Sequence, residues 1–141
     1  MSTITSTSAS TSTASSTAPR LWRAALGYGV AAAAATTTVA AVAHGAGVSL
    51  DVSGEPIPVA AFAQMTLLFT LVGFGIAVGL RRWTHDARTA WIRTTVVLTT
   101  LSFVPDLLAD AATGTRLTLM ATHLVAALVV VPGIASRLPR R

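Results

Sequence analysis

The chain contains no cysteine, no lysine and no asparagine, and it has few charges of either sign. The absence of cysteine excludes disulfides, thiolate metal sites and cysteine nucleophiles. Only 11% of the 141 residues are charged, whereas a typical soluble domain carries about 25%. Because 52% of the residues are hydrophobic, a soluble domain of this length would have too little interior to hide them. The composition therefore indicates an integral membrane protein.

The apolar residues fall into four runs that are each long enough to cross a bilayer. These predicted spans cover residues 24–48, 57–80, 90–110 and 117–134. A backbone in lipid must satisfy its polar groups within helices or a closed barrel. With such short connections, the runs predict one all-α domain over residues 20–141, an integral membrane four-helix up-down bundle. Segment 49–58 between the first two spans is predicted to be a turn-rich loop.

The segment before the first span consists almost entirely of Ser, Thr and Ala, without charge or periodicity. We predict that residues 1–19 form a disordered tail. The first span has an alternative interpretation, because Ala41-Val42-Ala43 has the small-x-small form of a signal-peptidase site. Cleaved signals usually have a shorter apolar core and a charge nearer their start. We therefore predict that the span is retained, and cleavage stays the alternative.

The arginines predict an orientation in the membrane. With the N-terminus inside, the outer loops hold only Arg116, and the inner segments hold Arg20, Arg23, Arg81, Arg82, Arg88, Arg93, Arg137, Arg140 and Arg141. This asymmetry follows the positive-inside rule and places both termini in the cytoplasm. The exclusive use of arginine among basic residues suggests a GC-rich bacterial genome, hence the bacterial plasma membrane. Trp22, Trp83 and Trp91 are predicted to form an aromatic belt at the inner interface.

The net charge of +5 does not predict a nucleic-acid partner, because the arginines flank apolar spans instead of forming a patch on a folded surface. The lipid bilayer is the expected partner. The connector arginines are also candidates for binding anionic head groups, although topology alone accounts for them. A homo-oligomer or a partner membrane protein is left open.

The stretch Ser102 to Arg116, "SFVPDLLADAATGTR", places acids inside this apolar chain. A rise of about 1.5 Å per residue puts Asp106 within the third span and His123 at a similar depth in the fourth. The predicted polar cluster comprises Asp106, Asp110, Arg116, His123, Gln64 and His44. Asp106 is expected to pair with Arg116 or to share a proton with His123. In the short link between these spans, Gly114 is a predicted helix terminator and Thr115 a predicted N-cap.

Two patterns of small residues complete the candidate sites. Thr95, Thr99 and Ser102 precede Asp106 on one face of the third span. This stripe is predicted to pack against a neighbouring helix, and the alternative is that it lines a wet surface. Gly75 and Gly79 form a GxxxG pattern in the second span, which is predicted to allow close helix packing.

Three classes of function are compatible with these residues. The favoured hypothesis is a non-enzymatic protein whose outer-leaflet cluster clasps the third and fourth helices or engages a partner. The alternative is a small proton- or ion-coupled transporter or channel that uses Asp106 and His123, because a carboxylate beside an imidazole can exchange protons. An enzyme or a metal site at Asp106, Asp110 and His123 is disfavoured, since no metal-binding signature or nucleophile-base pair is present. No catalytic residue, metal or cofactor is predicted.

Two short motifs resemble a known family. They are Val104 to Leu108, "VPDLL", and Leu119 to Leu124, "LMATHL", the latter followed by "VVVPGIASRL". From about Trp22 to Leu138 the chain resembles small four-helix membrane proteins of actinobacteria that are catalogued only as a domain of unknown function. The resemblance implies topology and host, and it implies no mechanism.

Overall fold

The computed structural model describes residues 18–139, with side chains from residue 21. Its four helices are α1 (Ala18–Gly45), α2 (Val59–Trp83), α3 (Ala87–Leu108) and α4 (Thr113–Ala135). Two short strands, β1 (Asp51–Val52) and β2 (Glu55–Pro56), pair between α1 and α2. Residues 1–17 of the predicted tail lie outside the described residues. The prediction of an all-helical domain with four helices is confirmed.

Three of these helices are long and apolar enough to cross a membrane. They are α1 from Leu21, α2 and α4, with mean hydropathies of 1.5, 1.9 and 2.1. The 22-residue α3 does not reach the same apolar character, because it carries Arg88, Arg93 and Asp106. The chain therefore has the helices of a membrane protein, with α3 as the most polar of the four.

Helix α1 lies between α2 and α4, and α3 packs mainly on α4. Small side chains such as Ala25, Ala32 and Ala77 let these helices come close, and they share a core with Trp91 and Ile134. We call the end of the bundle that holds Leu21, Trp83 and Leu138 the arginine end. A smaller core of Ala40, Leu50 and Phe62 lies at the opposite end, the hairpin end.

Glycines permit the tightest approaches of α1 to its neighbours. A Cβ added to Gly133 would collide with the Tyr28 ring, and one added to Gly29 would lie 2.9 Å from the Thr70 methyl. The packing role predicted for Gly75 and Gly79 is not found between helices of the described chain. A Cβ on Gly75 would meet open space, and one on Gly79 would approach Trp83 of its own helix.

The predicted loop 49–58 is a β-hairpin that covers its end of the bundle. Ser53 and Gly54 have φ of 53° and 82°, as a two-residue turn with positive φ at both positions requires. Leu50 is buried in the small core. The Ser53 N–H donates to the Asp110 carbonyl at 2.7 Å, so the hairpin is joined to the end of α3.

The two remaining connections differ in how they begin the next helix. Asp86 caps α3 by accepting a hydrogen bond from the Thr89 N–H at 3.1 Å, and hydrogen bonding by the Thr89 side chain and backbone lowers the pKa of Asp86. By contrast, α4 begins at Thr113 without a side-chain cap. The predicted N-cap at Thr115 is wrong, since this residue is buried within the first turn.

Candidate functional site

A side-chain hydrogen bond connects α3 to α4 near the hairpin end. Nδ1 of His123 lies 2.8 Å from Oδ2 of Asp106, a length typical of a charge-assisted hydrogen bond. The Asp106 side chain is only 9% exposed, whereas the His123 side chain is 38% exposed. With Nδ1–H donating to the carboxylate, the second ring nitrogen of His123 is left for another partner. Among the side chains that the structure describes, no other carboxylate lies within salt-bridge distance of an arginine or a histidine.

The position of Asp106 follows from the face of α3 that turns toward α4. Thr95 and Asp106 are the buried polar residues of this helix, and Val97, Leu101 and Val104 are exposed on other faces. Asp110 is one turn further along but lies beyond the last residue of α3, and its side chain is exposed. Its backbone carbonyl accepts the hydrogen bond that the Ser53 N–H of the hairpin donates.

Arg116 does not pair with Asp106. No acidic side chain in the described chain forms a salt bridge with Arg116, and its Nε is buried without a hydrogen-bond partner there. The reason lies in where α4 starts. Arg116 is in the first turns of this helix, about 10 Å along the axis from His123. Of the two partners expected for Asp106, the structure brings His123 to it.

His44 and Gln64 also lie apart from the pair. His44 is exposed at the end of α1, and its Nδ1 is 3.3 Å from the Val48 carbonyl oxygen. Gln64 is exposed on α2, whereas Phe62, Thr66 and Thr70 of that helix turn toward the interior. A helix advances about 100° per residue, so Gln64 points away from the face that Phe62 presents to the core. The structure therefore contains a pair where the sequence predicted a wider cluster.

The threonine and serine stripe of α3 lies along a cavity. The Thr95 hydroxyl donates to the Trp91 carbonyl at 2.8 Å, and the Ser102 hydroxyl donates to the Thr99 carbonyl at 2.7 Å. These two hydroxyls are satisfied by their own helix and are not free to bind a ligand as donors. Because the side chains of the stripe are small, they leave a cavity between α3 and α2.

That cavity has a volume of about 590 Å³ and separates α2 from α3, with α4 along its base. Its walls are mostly apolar, with Met65, Phe69 and Ile76 from one side and Leu98 from the other. Its polar lining consists of Thr66, Thr70, Thr95, Thr99, Ser102, Thr122 and His123. His123 therefore bonds Asp106 on one side and borders this cavity on the other.

Trp91 provides a second polar attachment of α3 to α4, at the arginine end. It is 1% exposed, and its Nε1–H donates to the Val131 carbonyl at 3.0 Å. Because the indole is part of the core, Trp91 does not face outward as a residue of the predicted aromatic belt would. Trp83, at 85% exposure, has no such burial. The sequence distinguishes the buried Trp91 from the exposed Trp83 only weakly, because both residues lie near arginines at the end of an apolar run.

A second contact that sequence reasoning missed joins α1 to α2. The hydroxyls of Thr36 and Thr66 lie 2.9 Å apart, and Thr36 is buried. The run Thr36 to Thr38 in an alanine-rich helix was visible in the sequence, but nothing indicated which threonine faces α2. Such hydroxyl bonds are common attachments between membrane helices.

The arrangement offers little for metal binding. No group of three or more acidic or histidine side chains in the described residues could hold a metal ion. Asp110 is exposed and does not form a three-ligand group with Asp106 and His123 in the described residues. A carboxylate and an imidazole at this distance are suited to hydrogen bonding and proton exchange.

Comparison with known proteins places the chain in a family without assigning it an activity. No curated protein matches it. No solved structure matches it either. The model of a family of unknown function, DUF6069, matches residues 16–140 and so includes all four helices. The chain belongs to the DUF6069 family.

Proposed function

We propose that this protein is a non-enzymatic, multi-pass protein of the bacterial plasma membrane, in which Asp106 and His123 clasp α3 to α4. The observation that carries the proposal is the 2.8 Å bond between these side chains. In this proposal all four helices cross the membrane in up-down order, and both termini are cytoplasmic.

The exposed surface of α3 supports its inclusion as the fourth span. Val96, Val97, Leu101 and Leu107 are exposed although they are apolar, as expected for side chains that face lipid. The 22 residues of α3 extend for about 33 Å, enough to cross a hydrocarbon core of about 30 Å. Its arginines occur in the first two turns, where they reach the interface by snorkelling.

The packing of α3 explains why it needs a polar clasp. The cavity keeps most of α3 away from α2, so α4 is its principal neighbour. Its polar attachments to α4 are Trp91–Val131 at one end and Asp106–His123 at the other. These attachments are 15 residues apart on α3, or about 22 Å. Apolar surface alone gives weak association in lipid, because lipid tails are equally apolar.

Single substitutions test whether the clasp stabilises the bundle. Asp106→Asn and His123→Gln are each expected to lower the free energy of unfolding in mixed micelles by about 1 to 3 kcal/mol. Asp110→Asn is the matched control, since Asp110 is close by and exposed; it should change stability by less than about 0.5 kcal/mol. Wild-type stability in both pair variants would contradict the proposal.

The second candidate function is a proton-coupled transporter, favoured by the fact that His123 borders both Asp106 and the large cavity. In that case the pair exchanges a proton with a group in the cavity. The apolar walls and the internally bonded hydroxyls of Thr95 and Ser102 favour the clasp instead. Proteoliposomes containing a pH-sensitive dye distinguish the two. If the pair is only a clasp, the proteoliposomes should leak protons no faster than vesicles without protein. A faster leak that Asp106→Asn abolishes would establish the transporter.

A further inference from the structure

A second cavity lies at the arginine end, between the start of α1 and the last turns of α2. Its volume is about 290 Å³, and it is lined by Leu21, Phe74, Val78, Arg81 and Arg82. The Trp22 ring lies beside it, in an edge-on contact with Phe74 at 5.7 Å between centroids. The cavity is thus lined by three apolar residues and two arginines.

No described acidic side chain forms a salt bridge with Arg81 or Arg82, the arginines that line this cavity. The same end of the bundle carries Arg23, Arg88, Arg93 and Arg137, and Asp86 is the single acid that the described residues place there. Arginines that are half-buried or exposed beside apolar surface and lack an acidic partner are suited to bind an external anion.

We propose that this cavity binds one anionic phospholipid, with its phosphate at Arg81 and Arg82 and the start of an acyl chain against Phe74 and Val78. Guanidinium groups match phosphate oxygens in geometry and charge. The apolar lining distinguishes a lipid from a free phosphate, which would gain nothing from Phe74.

The location of the cavity also fits a lipid. Arg81 and Arg82 are in the last turn of α2, a helix long and apolar enough to span a membrane, so they lie at the depth of phosphate groups. Trp22 and Trp83 are exposed at the same end, as is typical of side chains in the interfacial layer. This inference does not depend on the Asp106–His123 clasp.

Tryptophan quenching by brominated lipid tests the site directly. The full chain is reconstituted in vesicles of phosphatidylcholine with increasing dibrominated phosphatidylglycerol, and a Trp22→Phe variant identifies the contribution of Trp22. We expect Trp22 quenching to saturate at a low fraction of anionic lipid, and dibrominated phosphatidylcholine to be a much weaker quencher. Equal quenching by the two lipids would overturn the proposal.

Paired charge variants separate a site from a diffuse basic surface. Removing one arginine near an anionic surface weakens lipid binding by about fivefold. Both double variants should lose about 25-fold in phosphatidylglycerol binding on this basis, and Arg81→Gln/Arg82→Gln should lose about tenfold more, because it also removes charge-assisted hydrogen bonds to the phosphate. Arg88→Gln/Arg93→Gln removes the same charge from the same end without touching the cavity lining. Equal losses in both variants would contradict a specific site.

A third variant keeps the test decisive if the first double variant does not fold. Val78→Phe fills the cavity and retains both arginines, so it should reduce the saturable quenching of Trp22 while leaving the net charge unchanged. Unaltered quenching in Val78→Phe would overturn the proposal. Inorganic phosphate should not displace the lipid at matched concentration, and displacement would identify a phosphate site instead of a lipid site.

Discussion

The Asp106 carboxylate and the His123 imidazole meet at 2.8 Å between α3 and α4, at the end of the bundle opposite the Trp91–Val131 bond. Together the two contacts hold α3 at both ends against one neighbour, while a cavity of about 590 Å³ separates it from α2. Helix α3 is the one helix of the described chain that is not among the candidate membrane spans, and it packs mainly on α4, whereas α1 packs closely on both α2 and α4.

The Trp91–Val131 bond should contribute measurably to stability. Trp91→Phe keeps an aromatic ring but removes the Nε1–H that donates to the Val131 carbonyl. We expect the free energy of unfolding to fall by about 1 to 3 kcal/mol, from the lost bond and the smaller ring. Trp83→Phe serves as the control because Trp83 is exposed. Equal small effects of the two substitutions would show that the bond does not stabilise α3.

Gly133 should be the most sensitive glycine among those of the helices. In Gly133→Ala the new methyl group collides with the Tyr28 ring, and overpacking of this kind costs about 1 to 3 kcal/mol. Gly75→Ala meets open space and should instead stabilise its helix by up to about 1 kcal/mol. Thermal unfolding in detergent measures both, and Tyr28→Ala should relieve the defect of Gly133→Ala. A stable Gly133→Ala protein would contradict this packing of α1 on α4.

Labelling of single cysteines tests the proposed topology, since the natural chain has no cysteine of its own. With four spans and the N-terminus inside, Ser53→Cys and Ala112→Cys react with an impermeant maleimide in intact cells. Thr84→Cys reacts only after permeabilisation. Labelling at position 53 but not at position 112 would mean that α3 does not cross the membrane.

Much of the fold could be predicted from the sequence, because long apolar runs indicate where membrane helices lie along the chain. The four helices begin and end near the predicted spans, although α4 starts at Thr113, before Gly114, a residue expected to end a helix. The similar depths of Asp106 and His123 also follow from helix rise alone. The depth of a residue along a helix follows from its residue number, because each residue adds about 1.5 Å of rise.

The rotation of each helix was harder to predict. Gln64 and His44 lie at suitable depths but are exposed on their helices, and Arg116 lies too near the start of α4 to reach Asp106. In a chain so rich in alanine, nothing distinguished Gly29 and Gly133, which lie at close contacts, from Gly75, which does not. The face of a helix that turns toward the core is normally predicted from the difference between its apolar and polar faces. A helix that is apolar on most faces shows little such difference.

The most direct test of the proposed clasp is a double-mutant cycle between Asp106 and His123. Unfolding is measured in mixed micelles for Asp106→Asn, His123→Gln and the double variant, with Asp110→Asn in place of Asp106→Asn as a parallel control cycle. The clasp predicts a coupling energy of about 1 to 2 kcal/mol for Asp106 with His123, and none for Asp110 with His123. Strictly additive effects, within about 0.3 kcal/mol, would contradict the account that this pair joins α3 to α4.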